Sequence, residues 1–121
     1  MLLTKIEIKK LKIAYQKAIV ILEDYYGVDV RNINMGVKVA GRIIIPNQTT
    51  GIVYLGLSSP NINEIKIHRS IILNYPEDAL IEMILHEYSH RLLNTGSEAR
   101  VNEAMEEMWY YNHKSYFGVG N

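Results

Sequence analysis

At 121 residues the chain is near the usual size of one domain and long enough to bury about two thirds of its unfolded surface without covalent staples. Thirteen Lys and Arg balance thirteen Asp and Glu, a formal charge of zero that argues against a general nucleic-acid binder. There are no cysteines, which excludes disulfides and thiolate ligands and leaves four histidines and the carboxylates as metal donors.

Lys5, Lys9, Lys10, Lys12 and Lys17 interrupt the apolar residues between Met1 and Tyr26. No run there is long enough for export or for spanning a bilayer, so the expected location is the cytoplasm, with no membrane partner. Abundant Ile, Lys, Glu and Tyr would suit a thermophile. Ile6, Leu11, Ala14, Ala18, Leu22 and Tyr25 recur at helical spacing and predict a helix over 6–26 that ends before Gly27. Four segments rich in Ile and Val follow, 35–39, 42–45, 51–57 and 64–73, separated by Gly41, Pro46-Asn47 and Ser58-Ser59-Pro60-Asn61. They read as short strands against that helix, with Ala40-Gly41 suited to a tight hairpin. His68, beside Arg69, reads as a surface residue of the last strand. No repeat or linker divides the chain, so residues 1–121 are expected to form a single domain.

Tyr75-Pro76-Glu77-Asp78 opens the next helix, with proline where its missing N–H costs nothing and two carboxylates in the positive first turn. Ile81, Ile84, Leu85, Tyr88 and Leu92 recur at three- and four-residue steps, and Asn94-Thr95-Gly96 ends the pattern with residues that tolerate a left-handed cap. The prediction is an amphipathic helix over 76–93, and it contains His86-Glu87-Tyr88-Ser89-His90, the H-E-x-x-H pattern. Positions four apart lie about 40° apart around a helix and about 6 Å along it, so both imidazoles reach one point above one face. That arrangement points to zinc. Glu87 lies about 100° round from His86, placed to take a proton from a metal-activated water rather than to ligate.

Catalytic zinc normally has three protein ligands, so one more donor must come from elsewhere. Ser97 reads as the cap of a second helix, and strong helix formers run from Glu98 to Glu107. Within them Val101-Asn102-Glu103-Ala104-Met105-Glu106-Glu107 resembles the second motif of the gluzincin metallopeptidases, in which H-E-x-x-H is followed by a helix carrying an N-E-A type motif and an acidic residue four positions on. In size the chain is most similar to the minigluzincins, minimal soluble members of that kind. The resemblance implies an α+β, zincin-like fold: an N-terminal helix, a small three- to four-stranded sheet, the H-E-x-x-H helix and a glutamate helix. It implies zinc held by His86, His90 and Glu103, with Glu87 as catalytic base and Glu107 and Asn102 in the outer shell. On the residues alone, Glu98, His113 and an incomplete site stay open as alternatives to Glu103. Glu103 comes only thirteen positions after His90, so the second helix must turn back almost at once after Gly96.

The implied function is a zinc metalloendopeptidase. Glu87 would act as base and then acid, while His113, Tyr111 or Tyr116 would supply a second donor to the oxyanion. A peptide or protein substrate would pair with a sheet edge at 51–57 or 66–73. Trp109, Tyr110, Tyr111, Tyr116 and Phe117 read as packing. Minigluzincins are latent, which implies a zymogen whose residues 114–121 act as an inhibitory tail, covering the cleft of the same chain or, in a homodimer, of a second copy. Two other readings share these residues. One is a non-catalytic zinc-stabilised interaction module; the other is a DNA-associated protease of the SprT-like kind, which would need a third histidine soon after the motif.

Overall fold

A computed structural model describes residues 4–33, 36–40 and 64–117 of the chain. Helix α1 spans Lys5–Tyr26 and is closed at both ends by its own residues. Thr4 and Glu7 form a reciprocal capping box, and Gly27 stops the helix with φ 68°, a left-handed conformation that costs glycine little. Ala14, Ala18 and Leu22, spaced by four, form its buried stripe. Strands β1 (Gly36–Ala40) and β2 (Glu64–His68) pair in parallel, with Gly36 opposite Glu64 and Ala40 opposite His68. Helix α2 (Arg69–Asn74) follows β2 without a break, and α3 (Glu77–Leu92) starts after Pro76. Helix α4 (Glu98–Met105) runs on into a π-helical turn over Glu106–Tyr110.

Helix α3 is the axis of the molecule. Every residue from Ala79 to His90 is buried, with α1 along one side and β2, α2 and α4 against the others. The amphipathic reading of this helix is therefore corrected: it has no solvent-facing stripe over those residues, and its polar side chains Glu82, His86, Glu87, Ser89 and His90 lie inside with the apolar ones. Some of them find partners on α1 or its flank. The Tyr26 hydroxyl donates to Ser89 Oγ at 2.8 Å, and the Tyr15 and Tyr88 hydroxyls meet at 3.0 Å.

The expectation of an α+β fold around a three- to four-stranded sheet is also corrected. Among the described residues the body is helical, and extended structure is confined to the β1–β2 pair. The expected strands at 42–45 and 51–57, and Gly41 of the expected hairpin, lie outside the described residues. The expected strand over 64–73 stops at His68, after which Ile71 and Ile72 turn inward as parts of α2 while Leu73 is exposed. Two contacts from α1 override the β propensity of Ile71-Ile72-Leu73. Arg69, at the first turn of α2, forms a two-pronged pair with Glu7, Nε to Oε2 and Nη2 to Oε1, each at 2.8 Å. Lys10 Nζ donates to the carbonyls of Ile72, at 2.6 Å, and Tyr75, capping the end of α2. Among the described residues no helix is long and apolar enough to cross a membrane.

Candidate metal centre

His86, Glu87 and His90 offer one ligand atom each within 4.8 Å of one another, on the fully enclosed stretch of α3. The two imidazole rings have centroids 5.0 Å apart. The turn that follows is built to aim His90. Asn94 takes a left-handed φ of 51°, the Thr95 amide donates to the His90 carbonyl at 3.0 Å, and the Thr95 carbonyl lies 2.8 Å from His90 Nδ1. A carbonyl can only accept, so Nδ1 carries a proton, and Nε2, which faces Glu98, is the nitrogen that would release its own proton to ligate a metal.

The same turn delivers a carboxylate. Ser97 caps α4 by accepting from the Arg100 amide at 3.2 Å, which makes Glu98 the first residue of that helix. Its carboxylate spans the pair, with Oε2 2.9 Å from His86 Nε2 and Oε1 2.9 Å from His90 Nε2. The contact with His86 lacks hydrogen-bond geometry, so Nδ1 and Nε2 of this completely buried ring are both without a partner. A buried polar atom in that state costs free energy that a bound cation would recover. Two imidazole nitrogens and a carboxylate oxygen are the donor set of an open zinc site, and the residues present fit one. Glu98 keeps 47% of its side-chain surface while the imidazoles keep 0% and 3%, so the site opens to solvent on the Glu98 side.

Electrostatics separates the two carboxylates. Glu87 is 1% exposed with neither oxygen hydrogen-bonded; burial first, and then the charge of Glu98, push its carboxyl well above the ordinary range. Burial also opposes ionisation of Glu98, but contacts with His86 and His90 outweigh it and hold that carboxyl at about 2. His90 is the mirror case: burial works against its cation, yet Glu98 and the Thr95 carbonyl raise it overall.

The structure does not bring Glu103 to the histidines. Five residues beyond Glu98, it lies about 140° further round the helix and about 7.5 Å along it. It is 74% exposed, with Arg100 at 3.6 Å. Asn102, four after Glu98, does share the facing side, and its Oδ1 is buried without a partner. Glu107 serves another contact, accepting from the Tyr25 hydroxyl at 2.7 Å, and that hydroxyl is pushed up to about 12 by burial and by Glu107. Of the expected oxyanion donors, Tyr111 is 86% exposed and Tyr116 43%. His113 lies flat on Trp109, with ring centroids 3.5 Å apart, beside a groove lined by Lys17, Asp78 and Ile81.

The described part of the expected inhibitory tail is fastened one turn before the histidines. The Ser115 hydroxyl donates to Glu82 Oε2 at 2.8 Å, the Tyr116 amide donates to Glu82 Oε1 at 3.0 Å, and buried Phe117 stacks on Tyr75. Burial raises the Glu82 carboxyl in spite of these bonds. Residues 118–121 lie outside the described residues.

Two features of this site carry more weight than the sequence reading gave them. Glu98 had a usable signal: a short turn sets the first residues of the second helix against the last turn of the first, and Ser97 as the cap fixes Glu98 as that first residue. Tyr110, read as packing, has its hydroxyl buried without a well-formed hydrogen bond, with Ser115, Glu82 and Glu98 among its polar neighbours. No protein-family model matches the chain, and comparison with the curated proteins and with the solved structures finds no similar protein.

Proposed function

We propose that this chain is a zinc-dependent peptidase in which His86, His90 and Glu98 hold the metal and Glu87 moves the proton. The observation that supports it most is the convergence of both Nε2 atoms on one carboxylate at 2.9 Å, next to a buried carboxylate that has no structural partner. A bound zinc supplies Lewis acidity, making water acidic enough to attack near neutral pH and polarising a carbonyl. The chain's own residues do the rest. Glu87, raised by burial, accepts the proton of the attacking water on a carboxylate oxygen and returns it to the leaving amine. The Thr95 carbonyl keeps His90 in the ligating tautomer, and Asn102 lies on the side of α4 from which an outer-shell amide would reach the site. The exposed flank at Glu98 is where an extended peptide enters. The resemblance to gluzincins keeps its first motif in this reading and has its third ligand moved from Glu103 to Glu98.

Metal analysis of purified variants tests the ligand set. Wild type and Glu103→Ala are expected to hold one zinc per chain, and His86→Ala, His90→Ala and Glu98→Ala to lose it or hold it with an affinity lower by at least about 10²-fold. Loss in Glu103→Ala with retention in Glu98→Ala would reverse the assignment. Zinc-loaded wild type that leaves an unstructured protein uncut would favour the zinc-stabilised interaction module.

A further inference from the structure

Helices α3 and α4 carry the candidate donors between them, and the chain ties the two together at two levels. Val101, Met105 and Trp109, at four-residue steps, are the buried stripe of α4 and its π-helical continuation. Apolar burial has no direction of its own, so the polar ties decide how firmly the two helices are held at one angle. The first tie is the turn, where the Thr95 amide bonds the His90 carbonyl at 3.0 Å and the Thr95 carbonyl meets His90 Nδ1 at 2.8 Å. The second lies at the opposite end. Beyond the π-helical turn the chain comes back to α3, where Glu82 accepts from the Ser115 hydroxyl at 2.8 Å and from the Tyr116 amide at 3.0 Å. Glu82, His86 and His90 follow at four-residue steps, so the two ties are about 12 Å apart along α3 with His86 midway between them. The second tie is part of the core. Glu82 is 0% exposed and Phe117 2%, Phe117 stacks on Tyr75 with ring centroids 5.2 Å apart, and Trp109 and His113 lie beside the carboxylate. Lifting this segment would strand a fully buried carboxylate without donors and bring Phe117 out into water. A plug that substrate displaces by competition needs a weaker hold than that.

We propose that residues 115–117 are a clamp on Glu82 that closes the open end of the α3–α4 hairpin and holds His86, His90 and Glu98 in register for the metal. Loosening it weakens zinc binding and unmasks no activity, the opposite in sign to the inhibitory tail that the resemblance implies. The inference rests on the metal site proposed above. Its residues touch neither metal nor substrate: they position the donors by fixing the helices that carry them, so that less order has to be created when the ion binds.

The test uses variants of the full chain and reads zinc affinity of the folded protein by competition with a chelator, beside hydrolysis of a fluorogenic peptide. Trp109 is the one tryptophan of the chain, so its fluorescence reports on the clamp directly. Phe117→Ala is expected to weaken zinc binding about tenfold and Ser115→Ala about threefold, within the range that changes in a packed network produce. Both should shift Trp109 emission to longer wavelength, and neither should raise turnover. Glu7→Gln breaks the α1–α2 pair instead, and should lower the melting temperature while leaving zinc affinity as in wild type. Unchanged zinc affinity in both clamp variants, or an equal loss in Glu7→Gln, would overturn the clamp. Turnover that rises with zinc retained would overturn it in favour of an inhibitory tail. Wild type that takes up no zinc would overturn the site and the clamp together, whereas wild type that binds zinc and cleaves nothing would overturn the peptidase reading alone, since the affinities still decide the clamp. Should Phe117→Ala fail to fold, Ser115→Ala decides, and wild-type affinity in that variant would overturn the proposal.

Discussion

Two buried glutamates, Glu7 and Glu87, show what separates a fully bonded polar group from one the fold leaves without a partner. Glu7 is 3% exposed and Glu87 1%, so burial alone does not distinguish them. Glu7 accepts two bonds from Arg69 at 2.8 Å and one from the Thr4 amide at 3.0 Å, and the Arg69 bonds above all hold its carboxyl at about 2. Glu87 accepts none, and burial pushes it the other way. The first carboxylate ties α1 to the start of α2; the second carries a cost that the fold itself does not recover. Around it lie further unmatched atoms: both ring nitrogens of His86 and Oδ1 of Asn102. Unmet bonding in one cluster and complete bonding in the other set the proposed site apart without reference to a cavity. The concave surfaces lined by Leu11, Tyr15, Gln16 and Val20 lie along α1 and include none of these residues.

The contrast gives its largest effect in turnover. Glu87→Gln should keep the fold and the zinc while lowering peptide hydrolysis by about 10²–10⁴-fold, the usual contribution of a positioned acid–base group. Steady-state kinetics beside metal analysis checks this, and turnover near wild type would return Glu87 to the structural class. Stability should respond in the opposite order. Glu7→Gln is expected to lower the melting temperature of the metal-free protein by several degrees, because Arg69 loses its two-pronged partner, whereas Glu87→Gln should leave it unchanged or raise it. Calorimetry of both variants tests the pair, and equal losses would erase the distinction.

Acid sensitivity is the smallest effect. The folded-state value of Glu7 is depressed from 4.5 to about 2, so its contribution to stability is full above about 4.5 and is lost as pH falls from there toward 2. Glu7→Gln should therefore flatten that part of the stability–pH curve relative to wild type. Superimposable slopes below 4.5 would show that the Glu7–Arg69 pair does not couple to folding.

Local signals along the chain placed the helices well because those signals act locally. Gly27 ends α1 at Tyr26 as its left-handed preference requires, and the tolerance of Asn94 for positive φ shapes the turn after α3. Features set by distant residues were not legible in the same way. Ile71, Ile72 and Leu73 carry β propensity, and only Glu7 and Lys10, more than sixty positions away, make that segment a helix. The enclosure of α3 was hidden because polar residues at Glu82, His86, Glu87, Ser89 and His90 made the helix read as amphipathic, although all of them are buried. The motif match put weight on Glu103, while the phase of α4, set by Ser97, turns Glu98 and not Glu103 toward the histidines.

The enclosure of α3 also bears on how the site opens in time. With no solvent-facing residue from Ala79 to His90, amide protons in that stretch have no shallow route to water, and their exchange should track the rarest, most global openings of the chain. The histidines on α3 would then be among the last groups to move, while Glu98, half-exposed in the first turn of a short helix, is held to the body chiefly by its contacts with those two rings. Hydrogen exchange should thus find the amides of His86 and His90 slower than those of α4, so that in the proposed site the element carrying the carboxylate yields before the one carrying the imidazoles.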